Sequence, residues 1–272
     1  MNPLADTLRR LGPAADGLSL VALPSDRLAP ADELIRRRRT LAGAVETFAG
    51  GVGTDEQAVA ASLFAQAWAV SVTRAAIACL AGERRVPDVA AANSALVFDG
   101  TGRPVGVVLN APRFAAVAGD AACSDPAAEP VADLAALCAW TRRQVFGRHL
   151  GPLVEALTAF APVGRRLLWG NVAAVCAGGF AVLSGRGMDA GRLVVDAATF
   201  LDPPDAPTRG LAHLVPVEHD GRTYLFVRRE TCCLYNRLPG APSCLSCRLL
   251  DDEERQRRIR IRLNALTSGP AR

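Results

Sequence analysis

The sequence predicts a helix-dominated α+β protein with a few short antiparallel strands, ending in a small cysteine-bearing C-terminal module. Three observations lead there. Apolar residues recur at helical spacing, or almost all round, through 56–81, 131–160 and 167–185. Paired short apolar runs meet at Gly-containing turns within 94–109 and 213–227. Four of the eight cysteines fall within sixteen residues, as Cys232-Cys233-x10-Cys244-x2-Cys247.

The 272 residues are 50% hydrophobic and 5% aromatic, enough for one substantial core or one large domain plus a small module. Every basic residue is Arg, so every cationic contact is a guanidinium. Residues 228–272 carry ten Arg and five acids, while the remainder is close to neutral. That basic end favours an anionic cluster, an acidic partner or an acidic ligand. No aromatic residues interleave with its Arg run, so nucleic-acid binding is not expected.

The first thirteen residues lack the apolar core of a secretory signal, and a cytoplasmic location is expected. There, clustered cysteines serve as metal ligands more readily than as a disulfide framework. Leu167 to Gly185 is free of charge and long enough to span a bilayer. Its glycines and Asn171 favour a buried core helix ending near Gly178-Gly179, with at most peripheral membrane contact.

In chain order, 1–55 reads as short helical pieces broken by Gly12-Pro13, Pro24, Pro30 and Gly50-Gly51, with a charge run at Arg36–Arg39. Asp55 is placed to cap a helix over 56–81, which belongs in the centre of a core. Ser94–Phe98 and Val105–Leu109 predict a hairpin over Asp99-Gly100-Thr101-Gly102. Residues 119–130 predict a loop, and 131–160 a helix interrupted at Gly147 or Gly151-Pro152. A helix around Trp169 follows, then a short strand at Leu193–Val195 and a breaker at 202–207. His213–Val217 and Thr223–Val227 predict strands reversing at Asp220-Gly221, the second leading straight to Cys232-Cys233. Beyond Cys247, acids at 251–254 precede Arg255, Arg257, Arg258, Arg260 and Arg262, the order a helix macrodipole favours.

Three chemistries suit the cysteine cluster. A structural zinc ion normally takes two Cys-x2–4-Cys pairs. Cys244-x2-Cys247 has that form, but the side chains of Cys232 and Cys233 point apart in extended backbone and reach one ion only through a tight bend. A [2Fe–2S] cluster offers two irons, each needing two thiolates, so a two-and-two split is easier. A disulfide is the third option. The intervening loop, with two prolines and a glycine, is a stiff turn able to hold the two pairs together.

Arg-Arg-Glu-Thr-Cys-Cys-Leu-Tyr-Asn-Arg-Leu-Pro-Gly (228–240), Ser-Cys-Leu-Ser-Cys-Arg-Leu (243–249) and Arg-Leu-Leu-Trp-Gly-Asn-Val-Ala (166–173) resemble segments of ferric siderophore reductases of the FhuF type. The resemblance covers about 160–250 well and the helix around Trp68 loosely. One departure is Arg248, where the family often has proline after the last cysteine.

The resemblance implies a [2Fe–2S] cluster ligated by Cys232, Cys233, Cys244 and Cys247. It implies a siderophore-interacting helical domain over 1–226 and an iron–sulfur module over 227–272. The implied activity is cytosolic one-electron reduction of Fe(III) in imported siderophores. Hard siderophore oxygens hold Fe(II) far less well than Fe(III), so one electron releases the metal.

Arg228, Arg229, Arg237 and Arg248 are then candidates for raising the cluster potential. Trp169 and Asn171 are candidates for a substrate-facing surface, a place in the core being the other reading. His149, His213 and His219 are scattered and read as structural or exposed. Gly185-x-Gly187-x3-Gly191 has the wrong spacing for a dinucleotide loop, and the residues after it are not expected to open a helix. Electrons are therefore expected from a separate ferredoxin or flavoprotein reductase. Two other functions fit the same residues: a non-catalytic protein with a zinc knuckle, and an iron–sulfur redox sensor.

Overall fold

Two long helices organise the protein. In the computed structural model, which describes residues 2–20 and 27–267, the N-terminal part forms α1 (Pro3–Leu11), β1 (Leu18–Ser19), β2 (Leu28–Pro30), α2 (Ala31–Arg36) and α3 (Arg38–Val52). The expected break at Pro24 lies outside the described residues. Gly50-Gly51 does not break the chain but sits inside α3, which closes at Gly53 in the left-handed region (φ 72°). Gly51 is needed for another reason: a Cβ there would lie 2.6 Å from the Thr101 carbonyl oxygen.

The central helix α4 (Gln57–Gly82) is apolar nearly all round and accordingly buried along its length. Asp55 does not cap it. The residue at the cap position is Glu56, without a side-chain capping bond, and its N–H reaches the Thr54 hydroxyl at 3.2 Å. Phe64 and Trp68 of α4 are fully buried in edge-to-face contact, each stabilising the fold by about 1.5–3 kcal/mol.

After α4 come β3 (Arg85–Pro87), β4 (Ser94–Phe98), β5 (Pro104–Leu109), β6 (Phe114–Val117) and β7 (Ala128–Val131). The predicted hairpin forms between β4 and β5, within a four-stranded sheet ordered β1-β5-β4-β2. A second sheet is ordered β3-β6-β7. The β1–β5 and β6–β7 pairings are parallel, a detail the local patterns did not carry. Residues 128–130, expected as loop, and Val131, expected to begin a helix, instead form β7 because their backbone completes that sheet; Asp125 accepts from the Ala127 N–H at the turn before it.

The helical stretch beyond is α5 (Leu134–Arg142), a π-helical segment (Arg143–Leu150) and α6 (Gly151–Thr158). The expected interruption is thus a change of winding that spans Gly147 and ends at Gly151-Pro152. Inside it, His149 is fully buried. Its Nε2 accepts from the Trp68 indole at 2.9 Å, and its Nδ1–H donates to the Val89 carbonyl at 2.5 Å.

Burial lowers the His149 pKa from 6.5 to about 4, against a smaller raising effect of the Val89 bond. The unfolded chain therefore binds the extra proton more readily than the folded one. This contribution to stability is complete above about pH 6.5 and is lost as pH falls towards 4. Denaturant titrations should show about 2 kcal/mol lost from this source by pH 5. A His149→Gln variant should show a shallower pH dependence; an identical one would remove His149 as the cause.

α7 (Arg165–Gly185) packs against α4, and α8 (Ala190–Leu201) packs on α7. α7 does not end at Gly178-Gly179. It runs on because Gly179 permits close approach: a Cβ there would lie 3.1 Å from Ile77 of α4. The strand expected at Leu193–Val195 is instead part of α8, with Asp189 Oδ1 accepting the Arg192 N–H at 2.7 Å. The glycines before it do therefore lead into a helix, contrary to one ground for rejecting a dinucleotide loop; the wrong spacing remains.

α4 and α7 are each long and apolar enough to cross a membrane by length and composition alone. In this fold 83% and 56% of their apolar windows are buried.

The antiparallel pair β8 (Ala212–His219) and β9 (Arg222–Arg229) turns at Asp220-Gly221, both with positive φ. It lies against α7 and is covered on its other side by the last helix, α9 (Asp252–Thr267), through Tyr224, Ile259 and Leu263. The proposed division of the chain at 226/227 falls within β9.

Candidate metal centre

The site begins where β9 ends. Thr231 crosses the face of α7 at Gly170, where a Cβ would lie 1.9 Å from the Thr231 hydroxyl oxygen. Gly170→Ala should accordingly displace the segment that leads into the cysteines. We expect a loss of about 1–3 kcal/mol in denaturant stability, together with lower iron content of the purified protein. Unchanged stability and iron would show that the segment is free to move.

Two residues on, the Cys233 carbonyl accepts from the Ser62 hydroxyl of α4 at 2.8 Å. The chain then bends at Leu234, which has left-handed backbone (φ 65°). This is the tight bend that adjacent cysteines require. The Leu234 N–H turns back to the Cys232 sulfur at 3.4 Å. The Tyr235 N–H likewise serves Cys233, and the Ser246 N–H serves Cys244. Three of the sulfurs thus take an N–H from the residue two positions on, a pattern that favours thiolate over thiol.

Cys233 and Cys247 are buried, Cys232 and Cys244 half-buried. Cys233 and Cys244 are eleven positions apart in the chain, yet their thiols act on each other. That interaction is the first cause of a lowered pKa at Cys244 and of a raised one at Cys233, where burial adds to it. The Arg229 guanidinium lowers both. Among the described residues no three His, Cys, Asp or Glu side chains converge as one metal ion requires.

Arg229 is 3% exposed. Its Nη2 donates to Asn171 Oδ1, and Asn171 Nδ2 donates to the Ser62 carbonyl at 3.0 Å and hydroxyl at 2.9 Å. The chain of bonds Arg229–Asn171–Ser62–Cys233 ties β9, α7, α4 and the cysteine loop together.

Asn171 is fully buried. Its expected place on a substrate-facing surface is corrected to that of a brace, because both ends of its amide are taken by the interior. Trp169 is half-buried and edge-on to Phe146, and it walls a cavity of about 400 Å³ with Arg142, Arg143 and Asp205.

The other three arginines named from the sequence are not buried against the thiols. Arg228 projects from the opposite face of β9, is exposed and lies 4.0 Å from Glu230. Arg237 pairs with Glu56, and Arg248 is exposed.

Sequence reasoning missed two further partners. Arg255 Nη2 donates to the Cys247 and Leu250 carbonyls at 3.0 and 2.9 Å, and Arg258 donates to the Ser243 carbonyl at 2.6 Å. A usable signal existed, since Arg255 shares one stripe of α9 with Ile259 and Leu263 at i, i+4, i+8. Ser62 carried none.

Three buried polar atoms beside the cysteine segment have no hydrogen-bond partner: Arg229 Nε, Thr231 Oγ1 and Arg255 Nε. Two of them are guanidinium donors. Such atoms are costly unless something accepts from them, and an anionic, sulfur-rich group suits this donor set. The residues therefore fit an iron–sulfur cluster. The remaining cysteines do not compete for it. Cys79, Cys138 and Cys176 are buried, with thiol pKa values raised by burial, and Cys123 sits against the Ala116 and Val117 carbonyls.

A helix-dominated α+β scaffold, ending in a four-cysteine segment braced by amides and guanidiniums, has the makings of a redox protein. Residues 62–219 match the family described as ferric iron reductase FhuF-like transporter, and the chain belongs to that family. Residues 229–247 match the FhuF 2Fe-2S C-terminal domain. The cofactor is thus a [2Fe–2S] cluster, which sets aside the zinc and disulfide readings, and the family supports reduction of ferric iron by an iron–sulfur oxidoreductase. No curated protein matches the chain.

Proposed function

We propose that Cys232, Cys233, Cys244 and Cys247 hold the [2Fe–2S] cluster, and that the protein reduces Fe(III) held in ferric siderophores in the cytosol, releasing Fe(II). What supports the ligand assignment is that the matched 2Fe-2S segment, 229–247, holds these four cysteines and no others, and that the backbone bends at Leu234 so that its N–H reaches the Cys232 sulfur at 3.4 Å. Bound there, the cluster supplies single electrons at a potential set by charge, hydrogen bonds and exposure. Arg229 places a positive charge against the thiols and stabilises the more negative, reduced state. Leu234 fixes the bend between the adjacent cysteines, and the rest of the loop shields Cys233 and Cys247 from water. Cys232 and Cys244 form the open edge at which electrons enter or leave.

Siderophore oxygens favour Fe(III) strongly over Fe(II), so transfer of one electron loosens the chelate without breaking it. The reducing electron comes from a separate carrier protein of the ferredoxin or flavoprotein class. Anaerobic stopped-flow mixing of dithionite-reduced protein with hydroxamate, catecholate and mixed ferric chelates tests the reading. Visible absorption should return in step with Fe(II) trapped by a ferrous chelator. Absorption that returns no faster than in buffer for every chelate would overturn it.

A further inference from the structure

We propose that the exposed face of α9, with the residues just after Cys247, is the docking surface for an acidic one-electron carrier protein. The inference rests on the reading above, because it places the donor which that reading requires. α9 is fastened to the cysteine loop: Arg255 holds the Cys247 carbonyl and Arg258 holds the Ser243 carbonyl. Leu245, between Cys244 and Cys247, packs into the same apolar cluster as Ile259 and Leu263. A partner seated on α9 is thereby brought to the half-buried Cys244.

The segment is net positive, six Arg against four acids over 248–262, although Asp251 and Glu253 are exposed acids without an ion pair among the described residues. Arg248, Arg260 and Arg262 are exposed and form no ion pair among the described residues, whereas Glu254 is occupied by Arg257 and Arg258. The helix's acids are confined to its first turn, where Asp252 is held by Arg255. Exposed Leu249 and Ile261 add apolar contact among the guanidiniums, the mixture of Arg and apolar side chains that protein interfaces use. A lipid surface is the less suitable occupant. The apolar stripe of α9, Ile259 and Leu263, is already spent against Tyr224 of the hairpin, and the exposed Leu249, Ile261 and Leu266 stand singly among charged residues and form no continuous apolar face to insert.

The step is a simple exchange. The reduced carrier loses one electron, the oxidised cluster gains it, and no bond or proton changes hands. Opposite charges on the two surfaces raise the encounter rate and make it depend on ionic strength.

The test uses the cluster-loaded full chain, with a reduced acidic plant-type [2Fe–2S] ferredoxin as the probe carrier and dithionite as the small-molecule control. Reduction by the carrier should slow about tenfold or more between low and high salt. Arg260→Glu/Arg262→Glu should lower the low-salt rate by about tenfold, leaving iron content, dithionite reduction and reoxidation by ferric chelates unchanged. If the double variant does not fold, as judged by far-UV circular dichroism, single Arg260→Glu should show a smaller loss of the same kind.

A salt-independent rate, unchanged in the variants, would overturn the proposal. So would variants that lose binding to anionic phosphatidylglycerol vesicles while accepting electrons from the carrier normally, since the face would then serve a membrane. Failure of the function itself looks different: ferric chelates would not reoxidise the cluster however it had been reduced.

Discussion

Cys244→Ser is expected to leave the purified protein colourless, with iron and acid-labile sulfide at background and reduction of ferric chelates slower by at least about 100-fold. The reason is the position of this sulfur. It is the partner of Cys233 across the loop, and it takes both the Ser246 N–H and a contact with the Ser246 hydroxyl at 3.5 Å. Serine oxygen is harder and less readily ionised than cysteine sulfur and makes a poorer iron ligand. Its loss also strands Cys233, which is buried and whose thiol acts on that of Cys244.

Cys123→Ser is the matched control. That thiol faces only the Ala116 and Val117 carbonyls, and its replacement should leave colour and iron intact. Iron and sulfide assays on protein prepared without oxygen decide the matter. A Cys244→Ser protein with full cluster content would remove this residue from the ligand set.

The second large effect is expected at Arg229. Two unit charges about 7 Å apart interact by about 2 kcal/mol at an effective dielectric constant of about 20, and a tenfold change in a one-electron equilibrium corresponds to about 59 mV. Replacing the guanidinium by a neutral side chain in Arg229→Gln should therefore lower the cluster midpoint potential by an amount on the order of 50–100 mV. Arg228→Gln, on the face of β9 that α9 covers but with its own side chain exposed, should move it far less because solvent screens its charge. Spectroelectrochemical titration of both variants compares them directly. Equal shifts, or none at Arg229, would show that the buried guanidinium does not set the potential. Stability should fall as well in Arg229→Gln, since Asn171 Oδ1 loses a buried donor.

Much of this was legible in the sequence, and the boundary follows physical range. The hairpin before the cysteines and the acid-then-Arg order of α9 are local patterns, and each appears as expected. The centrality of α4 followed from its lack of a polar face.

What escaped depends on partners distant in the chain. Leu193–Val195 looks like a strand when taken alone, but the Asp189 cap and the buried face of α8 make it helix. Gly178-Gly179 resembles a helix stop until Ile77 of α4 is placed against it. Asn171 was noticed for the right reason, a polar residue in an apolar run, yet its role needed Ser62 and Arg229, 109 and 58 positions away. The four arginines were indistinguishable by type, and the inward side of β9 is what separates Arg229 from Arg228.

The bonds from Ser62 and Asn171 also tie the loop's position to the interior. Both residues belong to the paired central helices, so any shift of α4 against α7 is transmitted to the Cys233 backbone. Conservative changes deep in that helix pair would then be felt at the cysteine segment without touching a thiol.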